Sequence, residues 1–128
     1  MLSDYTPIAT LATADIDKAR AFYEGTLGLT SVPQESFGGE VLYTCGASAF
    51  LVYPSQFAGT NQATAMALQV DDGGFDGEIA KLRDAGVTFD TFDLDGINWE
   101  DGVAVMDGGK AVWFHDPDGN IINLMSMG

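Results

Sequence analysis

The sequence predicts an α+β protein of two paired strand–helix–strand–strand–strand (βαβββ) modules, with curved mixed sheets around a concave cleft. Three observations predict it. The chain has 128 residues, enough for one domain or two small fused halves sharing a core, and its 46% hydrophobic content supplies that core. The pattern of elements runs twice: Leu11 matches Leu68, Asp15 matches Asp72 and Gly28 matches Gly86, offsets of 57 or 58. The stretch Trp113 to Leu124, WFHDPDGNIINL, reads as strand, tight turn and strand. In Asp116-Pro117-Asp118-Gly119, Pro presets φ, Asp bonds its own backbone and Gly accepts positive φ.

The elements follow in order. Residues 7–13 form a first strand. Asp15 caps a helix whose apolar side is Ile16, Ala19, Phe22 and Tyr23, and Gly25 and Gly28 stop it. Residues 29–36 suit an edge strand because Pro33 cannot donate to a ladder. Residues 40–45 and 49–53 form a hairpin across Gly46-Ala47-Ser48. The whole chain, 1–128, is one domain: module 1 over about 5–54, a polar linker over about 55–64, and module 2 over about 65–128. In module 2, residues 65–70 form a strand and Asp71-Asp72 starts a helix with Phe75, Ile79 and Leu82 on one face. Gly86 ends that helix, and residues 87–92 form a strand. Residues 93–109 form a long acidic loop, and the closing hairpin follows. Each half is too small to bury both faces of its sheet. Pairing the halves buries the helix sides and leaves a concave side open.

Net charge is −14, from 19 acidic against 5 basic residues. That excludes nucleic acid and anionic membranes as partners, since both need Lys and Arg clusters. It suits solubility and permits a cationic ligand. No apolar run approaches the ~20 residues of a membrane span. The N-terminal stretch has neither a basic region nor a continuous apolar segment, so no signal peptide is expected. Cys45 is the only cysteine, which fits a reducing compartment and inert packing. The expected location is the cytoplasm.

The chain resembles the vicinal oxygen chelate superfamily, the glyoxalase, bleomycin-resistance and extradiol dioxygenase group. The stretches that carry the resemblance are Asp15 to Tyr23, Leu27-Gly28-Leu29, Val70-Asp71-Asp72 and Phe114 to Asn120. It implies the paired-module fold and a symmetric homodimer. It also implies a small organic molecule as partner and, in members that chelate metal, four strand positions for His or carboxylate ligands. Those positions fall here on Ile8, Leu51, Ala65 and Asn123. Three are apolar, and Asn123 stands where the group has Glu. One neutral amide oxygen does not hold a divalent cation. His115 is the only histidine, so no shift of register restores a two-histidine site. No metal and no cofactor are expected.

Alternation along the strands places Ile8 and Thr10, Leu51 and Tyr53, Ala65 and Gln69, and Asn123 and Met125 on the cleft wall. The wall is apolar with a few hydrogen-bonding groups, the usual make-up of a small-molecule pocket. Trp99, on the acidic loop, is the candidate lid, while Trp113 is assigned to the core. No catalytic residue is assigned; His115 and Tyr53 are the candidates. Ser48 and Ser55 lack a histidine in triad arrangement, and no glycine-rich phosphate loop follows a strand. The expected function is metal-independent binding of a small molecule, with sequestration of a cationic or aromatic compound as in drug resistance. The alternative is a lyase or isomerase of the same superfamily, metal-free or with relocated ligands.

Overall fold

The computed structural model describes residues 1–33, 38–93 and 95–127, so residues 34–36 of the expected edge strand lie outside the described residues. After a 3-10 turn at Leu2–Asp4 come β1 (Ala9–Thr13), α1 (Ile16–Arg20) and a π-helical segment (Ala21–Thr26). Module 1 continues with β2 (Ser31–Val32), β3 (Val41–Cys45) and β4 (Ser48–Pro54). Module 2 contains β5 (Thr64–Val70), α2 (Asp72–Asp84), β6 (Asn98–Glu100), β7 (Val103–Met106), β8 (Gly109–His115) and β9 (Ile121–Met127).

Local chemistry sets the helix ends. The Asp15 carboxylate accepts from the backbone N–H groups of Asp17 and Lys18, at 3.0 and 3.3 Å. The Asp71 carboxylate does the same for Gly74 at 2.7 Å. Both satisfy helix-start donors that have no partner within the helix. Gly28 and Gly86, at φ 74° and 91°, turn the chain out of each helix. Gly25 does not stop the first one. The Leu27 N–H reaches back to the Phe22 carbonyl, a wide turn that carries the helix to Thr26. In α2, Gly73, Gly74 and Gly77 each cost about 1 kcal/mol of helix propensity. Burial of Phe75 and Ile79, worth about 1.5–3 kcal/mol each, offsets them. Packing, not propensity, holds α2.

The two sheets repeat one topology. The first runs β1-β4-β3-β2 and the second β5-β9-β8-β7-β6. In each, the first strand pairs parallel with the last strand of its module and all other pairs are antiparallel. Both sheets are mixed and open. The core lies on their helix sides. Leu11, Tyr23, Tyr43, Phe50 and Val52 pack there with Phe114 and Ile122 of module 2, and a smaller group joins Phe75, Ile79, Val112 and Leu124.

A polar knot joins the modules. Asp116, 1% exposed, accepts from the Tyr23 hydroxyl at 2.7 Å and from the Asn120 side-chain amide at 2.8 Å. Its other oxygen accepts from the backbone N–H groups of Asp118 and Asn120, both at 2.9 Å. Asn120 also donates to the Ala12 carbonyl, and Asp118 accepts from the Ala14 N–H. The turn motif is therefore a four-donor socket for one buried carboxylate, tied to β1 and to the first helix.

Module 2 departs from the expected plan. The strand expected over 87–92 is a single bridge, Asp90 to Trp113. The segment read as a loop over 93–109 holds the β6–β7 hairpin. Its turn is Asp101-Gly102, with φ 53° and 79°, the positive pair that a two-residue turn matched to strand twist requires. A methyl added at 102 would meet the Phe89 Cβ at 3.6 Å, an ordinary contact, so it is the positive φ that calls for glycine there. Arg83, in the last turn of α2, donates to the Asp101 carbonyl and lies 5.2 Å from the Phe89 ring centre.

Candidate functional site

Residues opposed across a ladder share a face, as do residues two apart along a strand. Trp113 opposes Asn123, and Asn123 opposes Ala67. Ala111 opposes Met125, which lies beside Gln69. On the other side Ala111 opposes Ala104, which opposes Trp99. Val112 and Leu124, on the opposite face, are buried against α2. Trp99, Trp113, Asn123, Met125 and Gln69 therefore share the helix-free face of the second sheet.

That face carries an aromatic wall. Trp113 is flanked by Phe92, 5.6 Å away with planes at 87°, and by Trp99, 6.0 Å away at 62°. All three rings are half-buried. Asn123, 7% exposed beside Trp113, spends its amide N–H on the Val112 carbonyl at 3.0 Å. Asp90 holds the edge of β8 with a backbone hydrogen bond to Trp113 at 2.7 Å. Its carboxylate meets His115 Nδ1 at 3.1 Å. His115 opposes Ile121, two pairs along the ladder from Trp113 and Asn123, so it too lies on the helix-free face.

The other expected wall residues fall elsewhere. Thr10 opposes Leu51, and Tyr53 opposes Ala12, on the helix-free face of the first sheet. Ile8, 48% exposed, precedes β1. Ala65 sits in a bulge: Thr64 pairs with Ile121 and Met66 with Ile122, leaving Ala65 unmatched and packed against the main core. The bulge breaks the alternation that grouped Ala65 with Gln69. Trp99 is on an edge strand, not on a loop. Phe92 and Asp90 were absent from the expected wall, and Trp113 was assigned to the core. The hairpin register carries a signal for Trp113, because a turn over 116–120 that pairs His115 with Ile121 must pair Trp113 with Asn123.

The donor set at Ile8, Leu51, Ala65 and Asn123 does not fit the divalent metal that the fold family implies. Three side chains have no lone pair, and Asn123 offers a single neutral amide oxygen, too few donors for a divalent cation. Among the described residues, no group of three His, Cys, Asp or Glu side chains is placed to hold a metal ion. Burial pushes the Cys45 thiol above its ordinary pKa, which disfavours the thiolate. Two surface cavities lie away from the aromatic wall. One of about 490 Å³ is lined by Ile16, Arg20, Val32 and Glu40, and one of about 450 Å³ by Thr13, Pro54, Ser55 and Gln56. Among the described residues no helix is long and apolar enough to cross a membrane.

Two modules, each a strand and a helix followed by three strands in the first and four in the second, with the helix on one side of an open mixed sheet, define the fold class. The chain belongs to the Glyoxalase/Bleomycin resistance protein/Dioxygenase superfamily, whose family profile matches residues 6–124. Among solved structures it is similar to the fosfomycin resistance protein FosX from Listeria monocytogenes complexed with Mn(II) and sulfate ion. That pair has a TM-score of 0.69 and 15% identity, covering 97% of this chain and 90% of the other. It is also similar to lactoylglutathione lyase from Agrobacterium tumefaciens, with a TM-score of 0.68 and 18% identity over 95% of this chain and 92% of that one. An integron cassette protein from the mobile metagenome of Halifax Harbour sewage outfall has a TM-score of 0.67 at 13% identity, covering 95% and 99%. At these identities the likeness is one of fold. No curated protein matches the sequence.

Proposed function

We propose that the chain binds a small cationic or aromatic compound without a metal, in the sequestering manner that the bleomycin-resistance branch of its superfamily name suggests. The observation that carries this reading is the wall of Phe92, Trp99 and Trp113 on the helix-free face, with Asn123 beside it. Aromatic faces attract cations and flat rings, and such contacts are worth about 0.5–2 kcal/mol each. The acidic residues Asp90, Asp93, Asp95 and Glu100 lie in the same stretch of chain, and the net charge of −14 adds a favourable field. Gln69 and Met125 extend the proposed site along the same face, and Thr10, Leu51 and Tyr53 on the helix-free face of the first sheet complete it. The proposed working form is a cytoplasmic homodimer.

Tryptophan fluorescence tests it. The protein, treated with EDTA, is titrated with N-methylquinolinium and with neutral quinoline. Saturable quenching by the cation at lower concentration, weakened about tenfold in Trp99→Ala, supports the reading. Equal response to both compounds removes the preference for charge. Dependence of quenching on an added divalent metal overturns metal independence.

A further inference from the structure

The chain holds six Asp-Gly bonds, after Asp72, Asp76, Asp95, Asp101, Asp107 and Asp118. Such a bond can react with itself, because glycine has no Cβ to keep its nitrogen from the neighbouring carboxyl carbon. The fold decides which bond reacts. The reaction needs a peptide N–H without a hydrogen bond, a carboxyl that nothing holds and a backbone able to rotate. We infer that Asp107, in the turn between β7 and β8, is a site of spontaneous conversion to isoaspartate, ahead of Asp101 and of the three bonds after Asp72, Asp76 and Asp118. Asp107 and Gly108 are exposed and join Met106 to Gly109 in a two-residue turn. Among the described residues, neither the Gly108 N–H nor the Asp107 carboxylate makes a hydrogen bond. A methyl at Gly108 would meet nothing within 4 Å beyond its chain neighbours, so the turn has room to rearrange. The other bonds are held. The Asp101 carboxylate pairs with Arg83 at 3.4 Å, and Arg83 also donates to its carbonyl. Asp118 accepts from the Ala14 N–H at 2.8 Å, while the Gly119 N–H donates to the Asp116 carbonyl at 3.0 Å. Asp72 and Asp76 belong to α2, whose backbone fixes the peptide that follows each, and Asp72 also accepts from the Ser126 hydroxyl at 2.6 Å. Asp95 adjoins residue 94, which lies outside the described residues, and has no place in this order.

The Gly108 nitrogen gives up its proton and attacks the Asp107 side-chain carboxyl carbon. A C–N bond forms and one carboxyl oxygen leaves as water, giving a five-membered succinimide. Water then opens the ring. Opening at the former side-chain carbonyl restores aspartate; opening at the former main-chain carbonyl leaves isoaspartate, whose main chain runs through the Asp107 Cβ. One water is released and one consumed, with no oxidant, reductant or other reactant. β7 lies between the strands that carry Trp99 and Trp113, so an added main-chain carbon in its turn loosens the aromatic wall. That consequence rests on the binding reading above; the conversion itself does not.

The intact protein is aged at neutral pH in heavy-oxygen water, beside its own tryptic peptides as the unfolded reference. Ring opening inserts a solvent oxygen, and electron-transfer mass spectrometry assigns the label and the isoaspartyl backbone to a residue. The expected result is conversion at Asp107 within about threefold of its rate in the free peptide, while Asp72, Asp76 and Asp118 fall at least about tenfold below theirs, because the fold must first open locally there. Asp101 falls between. Conversion at Asp107 slowed as much as at Asp118, or Asp101 converted before Asp107, overturns the assignment. N-methylquinolinium quenching is then compared in fresh and aged protein. Aged parent protein binds several-fold more weakly, and Asp107→Glu, which has no five-membered ring to close, keeps its affinity on ageing. Isoaspartate at Asp107 with unchanged quenching overturns the link to the wall and leaves the site standing. Absence of quenching in fresh protein overturns the binding reading and leaves the order of conversion standing.

Discussion

The Tyr23 hydroxyl donates to Asp116 Oδ2 at 2.7 Å, joining the first helix to the closing turn of module 2 across 93 residues. Both residues are essentially without solvent contact. The bond explains why an aromatic phenol and an Asp-Pro-Asp-Gly-Asn turn occur in one chain: the carboxylate is buried and needs four donors, of which the turn supplies three. Tyr23→Phe removes the fourth donor, and a loss of about 1–3 kcal/mol is expected. Asp116→Asn keeps the shape but turns an amide N–H₂ toward donors, so it should cost more than Tyr23→Phe. Urea unfolding of both variants checks the order, and equal stability of all three proteins would refute the socket.

Burial first, and then the Asp116 carboxylate, raise the Tyr23 pKa; burial first, and then the hydrogen bond to Glu24, raise that of Tyr43. A phenol freed by unfolding ionises near its ordinary value of about 10. The folded state therefore binds more protons than the unfolded state above that pH, and stability falls as pH rises. Below about pH 10 this contribution is fully present. Above it, global unfolding should accompany phenolate formation by Tyr23 and Tyr43. In a variant with the exposed Tyr5 and Tyr53 replaced by phenylalanine, phenolate absorbance and far-ultraviolet dichroism, recorded together from pH 8 to 13, should show one shared transition. Phenolate formation by these residues in a chain that stays folded contradicts the prediction.

Where the physics is local, the sequence is legible. Asp15, Asp71, Gly28 and Gly86 act within a turn of where they stand, and the caps and stops they predict are present. The repeat is legible because both modules solve one packing problem with the same order of elements. The β6–β7 hairpin is harder to read. Its two-residue signal, Asp101-Gly102, lies among acidic residues that resemble a solvated loop, and β6 has only three residues. The strand expected over 87–92 fails for a non-local reason. The edge of β8 is occupied by β7 from Gly109 to Ala111, so only Asp90 reaches it, at Trp113. The bulge at Ala65 is likewise set by the partner strand β9, which no local pattern in β5 reveals.

Arg83 holds the hairpin tip from α2. It donates to the Asp101 carbonyl and pairs with the Asp101 carboxylate at 3.4 Å, where the partner is 92% exposed. An exposed ion pair contributes little, so its main effect is to fix the turn two residues beyond Trp99. Arg83→Ala should lower global stability by less than about 1 kcal/mol. It should still weaken N-methylquinolinium binding several-fold by freeing β6. Arg83→Lys should restore little, because a point ammonium lacks the planar guanidinium that covers Phe89. Unchanged affinity in Arg83→Ala would show that Trp99 does not depend on this tether.

The charge of the chain should act in opposite directions on folding and on ligand binding. Arg20, Lys81, Arg83 and Lys110 already have carboxylate partners, which leaves most of the 19 acidic side chains uncompensated. Their mutual repulsion destabilises the compact state, and salt relieves it as the screening length falls from about 10 Å at 0.1 M to about 3 Å at 1 M. Raising sodium chloride over that range should therefore raise Tm by several degrees, corresponding to about 1–2 kcal/mol for a domain of this size. The same screening weakens the field that draws a cation to the aromatic wall, so affinity for N-methylquinolinium should fall while affinity for quinoline holds. Thermal denaturation and fluorescence titration across one salt series measure both. A Tm that does not rise would mean that the acidic side chains are too dispersed to repel one another, and cation affinity independent of salt would assign binding to ring contact alone.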